Sequence, residues 1–126
     1  MDHNIEIDFV KNYIRKQYQD RLIFELSSKK LREKALSRFS HSSETMLSPR
    51  FEQCDMQEIC KFISIHNIMN QQCYIISFDK NDGKTLALSD AYECCKNSYM
   101  AMILISKNFV VVKEECEGKS LTFLAK

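Results

Sequence analysis

Six cysteines and three histidines are the side chains of this sequence best suited to covalent or metal chemistry. A structural zinc site takes four ligands in a tetrahedron, usually supplied as two close pairs. Cys54, Cys60, Cys73, Cys94, Cys95 and Cys116 contain no C-x-x-C pair, and the adjacent Cys94 and Cys95 point to different sides of a helix. No metal site is expected from them. A thiol nucleophile needs a base beside it. His66 falls among Ile59, Phe62 and Ile63 on an apolar arc, which suits a hydrogen-bonded core residue better than a base. A cysteine-dependent enzyme is therefore the weakest of the functional readings. The stretch DKNDGKTLALSD, residues 79 to 90, has the acidic look of a calcium loop, but its glycine arrives at the fifth position and an aspartate stands at the twelfth. The loop needs glycine at the sixth and glutamate at the twelfth. A surface turn, with Asp and Asn side chains bonding the backbone, fits better. There is no G-x-S-x-G, H-E-x-x-H, Walker A or Rossmann pattern, so no catalytic residue and no cofactor is assigned.

The remaining candidate chemistry is electrostatic. KKLREKALSRFSHSSE, residues 29 to 44, carries five basic side chains, a phenylalanine and a histidine in one expected helix. From Lys11 to Arg38 there are nine basic and three acidic residues, leaving nine basic and fourteen acidic elsewhere. Such polarity steers an acidic partner, whether phosphate or protein. At 100° per residue Lys30, Lys34 and Arg38 line an outer edge, while Leu31, Ala35, Leu36 and Phe39 form the apolar arc. Arg32 lies inside that arc, between Phe39 and Leu36. It must pair with a carboxylate or carry its charge outward along its stem. His41 suits the negative C-terminal end of the helix. Lys30, Arg32, Lys34, Arg38 and His41 are thus the candidate partner- or ligand-binding residues, with Arg32 and Arg38 foremost. A dedicated nucleic-acid reader combines a basic footprint with a recognisable module. The sequence shows none, and its pI is near 7.6.

These side chains must be held by a fold. The 126 residues, 44% hydrophobic and 28% charged, are enough for one globular domain with a core, helical over 1–70 and sheet-rich over 71–126. MDHNIEIDFVKNY has no cationic and apolar leader pattern, and the longest apolar run, YMAMILI, is too short to span a bilayer. The expectation is a cytoplasmic chain with reduced, mostly buried thiols and no membrane association. Helix is expected from Asn4 to about residue 26, and from Ser27–Ser28 to about 41, either as one helix or as two. LIFEL, apolar around most of the wheel, is expected to be buried or to turn. SPRFEQCDMQEICKFISIHNIMN, residues 48–70, reads as the next helix, with Ser48–Pro49 as one start and Asp55 with Glu58 as a second. CYIISF, MAMILIS, FVVVKEE and LTFLAK read as strands, with a hairpin at Lys107–Asn108 and a short helix at LSDAYECCKN. The fold class is α+β: N-terminal helices on a small, mainly antiparallel four-stranded sheet, in the order ααα-β-α-βββ or αα-β-α-βββ.

Met100 to Ile105 and Phe109 to Val112 are apolar on both faces, which requires a cover on each side of the sheet. Helices on both faces would supply it within one chain; otherwise a partner or second copy must. The leading expectation is a non-catalytic protein-binding or regulatory protein, of the kind that immunity proteins, antitoxins and accessory subunits represent. Its partner would be another protein, or a second copy of itself. RNA or nucleotide binding through residues 29–38 is the alternative.

Overall fold

The computed structural model of the protein describes residues 1–41, 43–115 and 121–126. Helix α1 (His3–Tyr13) is capped by Asp2, whose carboxylate accepts from the backbone N–H groups of Asn4 (3.1 Å) and Ile5 (3.2 Å). The cap therefore lies two residues before the expected Asn4. The expected helix over 4–26 breaks at Ile14, which turns extended and bridges Leu47. Flanking bonds from Arg15 N–H to Met46 O (2.8 Å) and from Ser48 N–H to Tyr13 O (2.9 Å) hold the break. Helices α2 (Lys16–Ser27), α3 (Arg32–His41) and the single turn α4 (Ser43–Met46) follow, so residues 4–41 form three helices.

Ser48–Pro49 opens a turn rather than a helix, and it leads into strand β1 (Glu52–Cys54). Helix α5 (Met56–Ile65) begins at the second candidate start, where the Asp55 carboxylate accepts from Glu58 N–H at 2.8 Å. Strands β2 (Gln72–Ser77) and β3 (Thr85–Ala87), helix α6 (Leu88–Lys96), and strands β4 (Met102–Ser106), β5 (Val110–Lys113) and β6 (Thr122–Ala125) complete the chain.

The fold is α+β, and its sheet is antiparallel throughout, in the order β1-β6-β5-β4-β2-β3. Among the described residues it has six strands, not four. The four expected strands are the contiguous centre, and the two added ones are three-residue edges. Three residues are too few to set up a period-2 signal, and short edges of this kind limit strand addition by other chains.

Two hydrophobic clusters share the sheet. On one face Tyr74, Ile76, Ile103, Val110, Val112 and Phe123 pack beneath Phe9, Val10, Leu22, Leu36, Phe39 and Met46 of α1–α4. On the other, Ile75, Met102, Leu104, Val111 and Leu124 pack against Ile59 and Ile63 of α5 and against Leu88, Ala91 and Cys95 of α6. The registers Ile103↔Val112 and Leu104↔Val111 sort alternate residues cleanly to opposite faces. Helices therefore cover both sides, which explains strands that are apolar all round.

Two buried charges are tied to helix ends. Lys113, 3% exposed, donates from Nζ to Cys95 O (2.7 Å) and Ser98 O (2.6 Å), placing a cation at the C-terminal end of α6. Glu114 accepts from the backbone N–H of Ser43 at 3.2 Å and from its hydroxyl, anchoring α4 to the strand end.

Candidate functional site

Arg32, the residue that the helical wheel places among apolar neighbours, is turned inward. Its guanidinium has five N–H donors, and the fold supplies an acceptor for every one. Nη1 donates to Glu6 Oε1 (2.7 Å) and to Leu26 O (3.0 Å). Nη2 donates to Glu6 Oε2 (2.6 Å) and Asp82 Oδ1 (2.9 Å), and Nε donates to Asp82 Oδ2 (2.7 Å). The carboxylates are satisfied in turn. Glu6 also accepts from the Tyr74 hydroxyl (2.6 Å), and Asp82 from the backbone N–H of Ser77 (3.0 Å). Burial works against the Arg32 charge, but the hydrogen bonds and charges of Glu6 and Asp82 outweigh it and hold its pKa above the ordinary value. Burial, followed by the bond to Glu6, likewise raises the Tyr74 phenol. This cluster joins α1, α3, β2 and the β2–β3 turn, and leaves Arg32 no donor for a ligand.

The same turn is the stretch with the look of a calcium loop. Asp79 Oδ1 accepts from Asn81 N–H (2.9 Å) and from the Ser77 hydroxyl (2.8 Å), as expected of a side-chain-stabilised turn. Gly83 takes φ +78°, and a Cβ built there would stand 2.8 Å from Met1 Cγ. The positive φ is what favours glycine here, and a Cβ would in addition have to displace the Met1 side chain. Among the described residues no group of His, Cys, Asp or Glu is placed to hold a metal ion.

Arg38 is directed at α2 instead. Its Nε and Nη2 each donate at 3.1 Å to the buried carboxylate of Glu25. The hydrogen bond to Glu25 raises the Arg38 pKa, with burial opposing and the Glu25 charge assisting. Arg21 approaches the same carboxylate, 3.9 Å away. His41 is exposed, with Nε2 3.3 Å from a Glu115 carboxylate oxygen, and Lys30 and Lys34 are exposed. The five candidates thus separate: Arg32 enters the interior, Arg38 bridges two helices, and Lys30, Lys34 and His41 stand at the surface.

One residue in this layer escaped sequence reasoning. Within LIFEL, Leu22, Glu25 and Leu26 are buried, whereas Phe24 is 66% exposed. It shares an outward stripe with exposed Gln17, Asp20, Arg21 and Ser27. That polar spacing at i−7, i−4, i−3 and i+3 was the available signal.

Two of the described thiols, Cys54 and Cys73, are held in the protonated form by their surroundings. Burial, with a further contribution from Cys95, pushes Cys73 up to about 12. Burial and the neighbouring Glu58 and Asp55 push Cys54 up to about 11. His66 is exposed at the C-cap of α5, its ring 4.5 Å from that of Phe62, and so is not the core histidine expected. Cys54, Cys60, Cys73 and Cys94 are free thiols, and Cys116 lies outside the described residues. Alkylation with iodoacetamide at neutral pH is expected to modify exposed Cys60 first and to spare Cys73 and Cys95 until the chain unfolds. Rapid native labelling of Cys73, read by peptide mass, would contradict this burial. Cys73 also makes stability fall with alkali. Its thiol ionises near 9 when unfolded and only near 12 when folded, so its contribution is whole below pH 9 and is lost as pH rises toward 12.

Several concavities mark the surface, and two of them are lined mainly by apolar surface. One, of about 470 Å³, runs between α1 and the sheet over Tyr74, Thr85 and Ile105, with Arg50 and Lys107 among its lining residues. The other, of about 410 Å³, lies between α5 and α6 beside Cys60, Ile65 and Tyr92. No helix among the described residues is long and apolar enough to cross a membrane. The molecule is thus an α+β protein with a helix-covered antiparallel sheet. No protein-family model, curated protein or solved structure matches the chain.

Proposed function

We propose that the chain is a non-catalytic, regulatory protein-binding module that recognises an acidic protein through the outward face of α2 and α3. The observation that carries this reading is Phe24, two-thirds exposed on α2, one turn after exposed Arg21 and on the helix that Arg38 joins to α3 through Glu25. A large ring on a polar stripe adds nothing to the core, whereas aromatic and arginine side chains dominate the energetics of protein interfaces. The local charge favours an acidic surface. Arg21 and Arg38 converge on the single carboxylate of Glu25, so the group keeps a net positive charge, and Lys34 stands one helical turn before Arg38. Lys30 and the rest of the basic segment extend that field and raise the rate of encounter. The setting proposed is the reducing cytoplasm, consistent with free thiols. A partner protein is favoured over a second copy, whose identical basic face would repel this one.

RNA or nucleotide binding would use the same helix, but Arg32 is committed to Glu6 and Asp82. Wild-type protein is expected to show no appreciable binding to single-stranded RNA or duplex DNA at physiological salt. A low-micromolar, steeply salt-dependent dissociation constant in fluorescence anisotropy would replace the protein-binding reading.

The test of the surface is comparative purification of tagged variants from the encoding organism. Wild type and Ile65→Ala, which alters a residue 78% exposed on another helix, are expected to retain one acidic partner in fixed stoichiometry. Phe24→Ala is expected to weaken that complex about 30-fold, the loss of a hot spot worth about 2 kcal/mol. Equal retention by all three would contradict the assignment of the α2–α3 face.

A further inference from the structure

We infer that the cleft between α1 and the sheet is a binding site for a small amphipathic carboxylate, with an aromatic or branched aliphatic body. The cleft lies on the first sheet face, along the part of α1 that runs from Ile5 to Tyr13. Its size, about 470 Å³, falls in the range of small-molecule sites, roughly 300–1,000 Å³. Ile5, Tyr13 and Ile105 each bury only part of their surface against the core and leave the remainder facing the cleft. This supplies an apolar lining for a hydrocarbon or aromatic body.

The polar groups select charge. Arg50 is held where it is by the chain on both sides, with β1 pairing β6 from Glu52 onward. The Ile14–Leu47 bridge and the bond from Ser48 N–H to Tyr13 O fix the segment that precedes Arg50. Its guanidinium lies 4.3 Å from the centroid of the Tyr13 ring, and Nη1 donates to Asn12 O at 3.2 Å. Stacking on one face leaves the donors at the edge of the plane able to meet a carboxylate as a fork. Lys107, in the β4–β5 turn, is a second exposed cation lining the cleft. Among the described residues neither cation makes an ion pair, and Asp8 is the one carboxylate in the lining. The lining therefore carries a net charge of +1. Of the four hydroxyls in the lining, those of Tyr74 and Ser106 are already engaged. Tyr74 donates to Glu6 (2.6 Å), and Ser106 donates to Gln72 O (2.9 Å) while accepting from Gln71 Nε2 (2.6 Å). A partly apolar lining with two cations free of ion pairs among the described residues matches a monoanion with a greasy body.

The occupant is a free small molecule, not the end of a protein chain. Tests with 4-phenylbutyrate, its neutral amide 4-phenylbutanamide and the peptide N-acetyl-Gly-Gly-Phe, which ends in a free carboxylate, separate these cases. In ¹H–¹⁵N correlation spectra, 4-phenylbutyrate is expected to shift amides around Phe9, Tyr13 and Ile105 and to bind at least tenfold tighter than the amide. Arg50→Gln and Lys107→Gln, both surface substitutions, are expected to weaken the acid about five- to tenfold each and to leave the amide unchanged. Equal affinity for acid and amide in wild type, or no shifts at millimolar concentration, would overturn the carboxylate site whatever the variants do. Tighter binding of the peptide than of 4-phenylbutyrate would overturn the choice of a free small molecule.

Discussion

Replacing Arg32 with methionine is expected to lower the unfolding free energy by about 3–5 kcal/mol, the usual cost of removing one partner of a buried ion pair. For a domain whose total stability is about 5–15 kcal/mol, this is a large share. The cause is what the substitution leaves behind more than what it removes. Glu6 is 2% exposed and would keep only the Tyr74 hydroxyl as a donor, and Leu26 O would lose its bond from Nη1. Lysine at the same position keeps the charge but cannot present a fork to two carboxylates at once, so Arg32→Lys is expected to lose most of the stability as well. Adding Glu6→Gln to Arg32→Met removes the stranded charge, and the double variant is expected to be less destabilised than the two single losses summed. Urea unfolding of wild type, Arg32→Met, Glu6→Gln and the double variant reads the coupling. Losses for Arg32→Met under about 1 kcal/mol would mean that the pair is not buried as described.

A single charge introduced on either face of β5 is expected to abolish cooperative folding. Val110 and Val111 are both 0% exposed, yet they belong to different clusters, one under α1–α4 and the other under α5 and α6. Val110→Asp and Val111→Asp each put a carboxylate into an apolar layer with no partner, at a cost of at least several kcal/mol. Both are expected to lose near-ultraviolet dichroism and the sigmoidal urea transition. Were one of the two to fold normally and change only its oligomeric state, that face would be an interface and not core.

The doubly apolar strands were the most legible feature of the sequence, because runs such as VVV cannot alternate and so demand two covers. The helix boundaries were less legible. Nothing local stops a helix at Ile14; the stop is set by Leu47, thirty-three residues away, through an isolated bridge. Strands β1 and β3 were hidden for a related reason, since each is a three-residue edge made by pairing with a partner strand. Arg32 could be read as needing a partner, but its two carboxylates come from residues 6 and 82, and no periodicity connects those positions. Phe24 was misplaced because LIFEL is apolar in composition, while the fold has room for only some of its side chains.

The central claim, that the outward face of α2 and α3 meets an acidic protein, is tested most directly by placing a photo-crosslinking phenylalanine analogue at position 24. After irradiation in the encoding organism, mass analysis of the adduct is expected to give one discrete product, joined to a peptide from an acidic protein surface. The yield is expected to fall when Arg21 and Arg38 are both changed to glutamate. An adduct with nucleic acid, or crosslinking at position 65 but none at position 24, would contradict the claim.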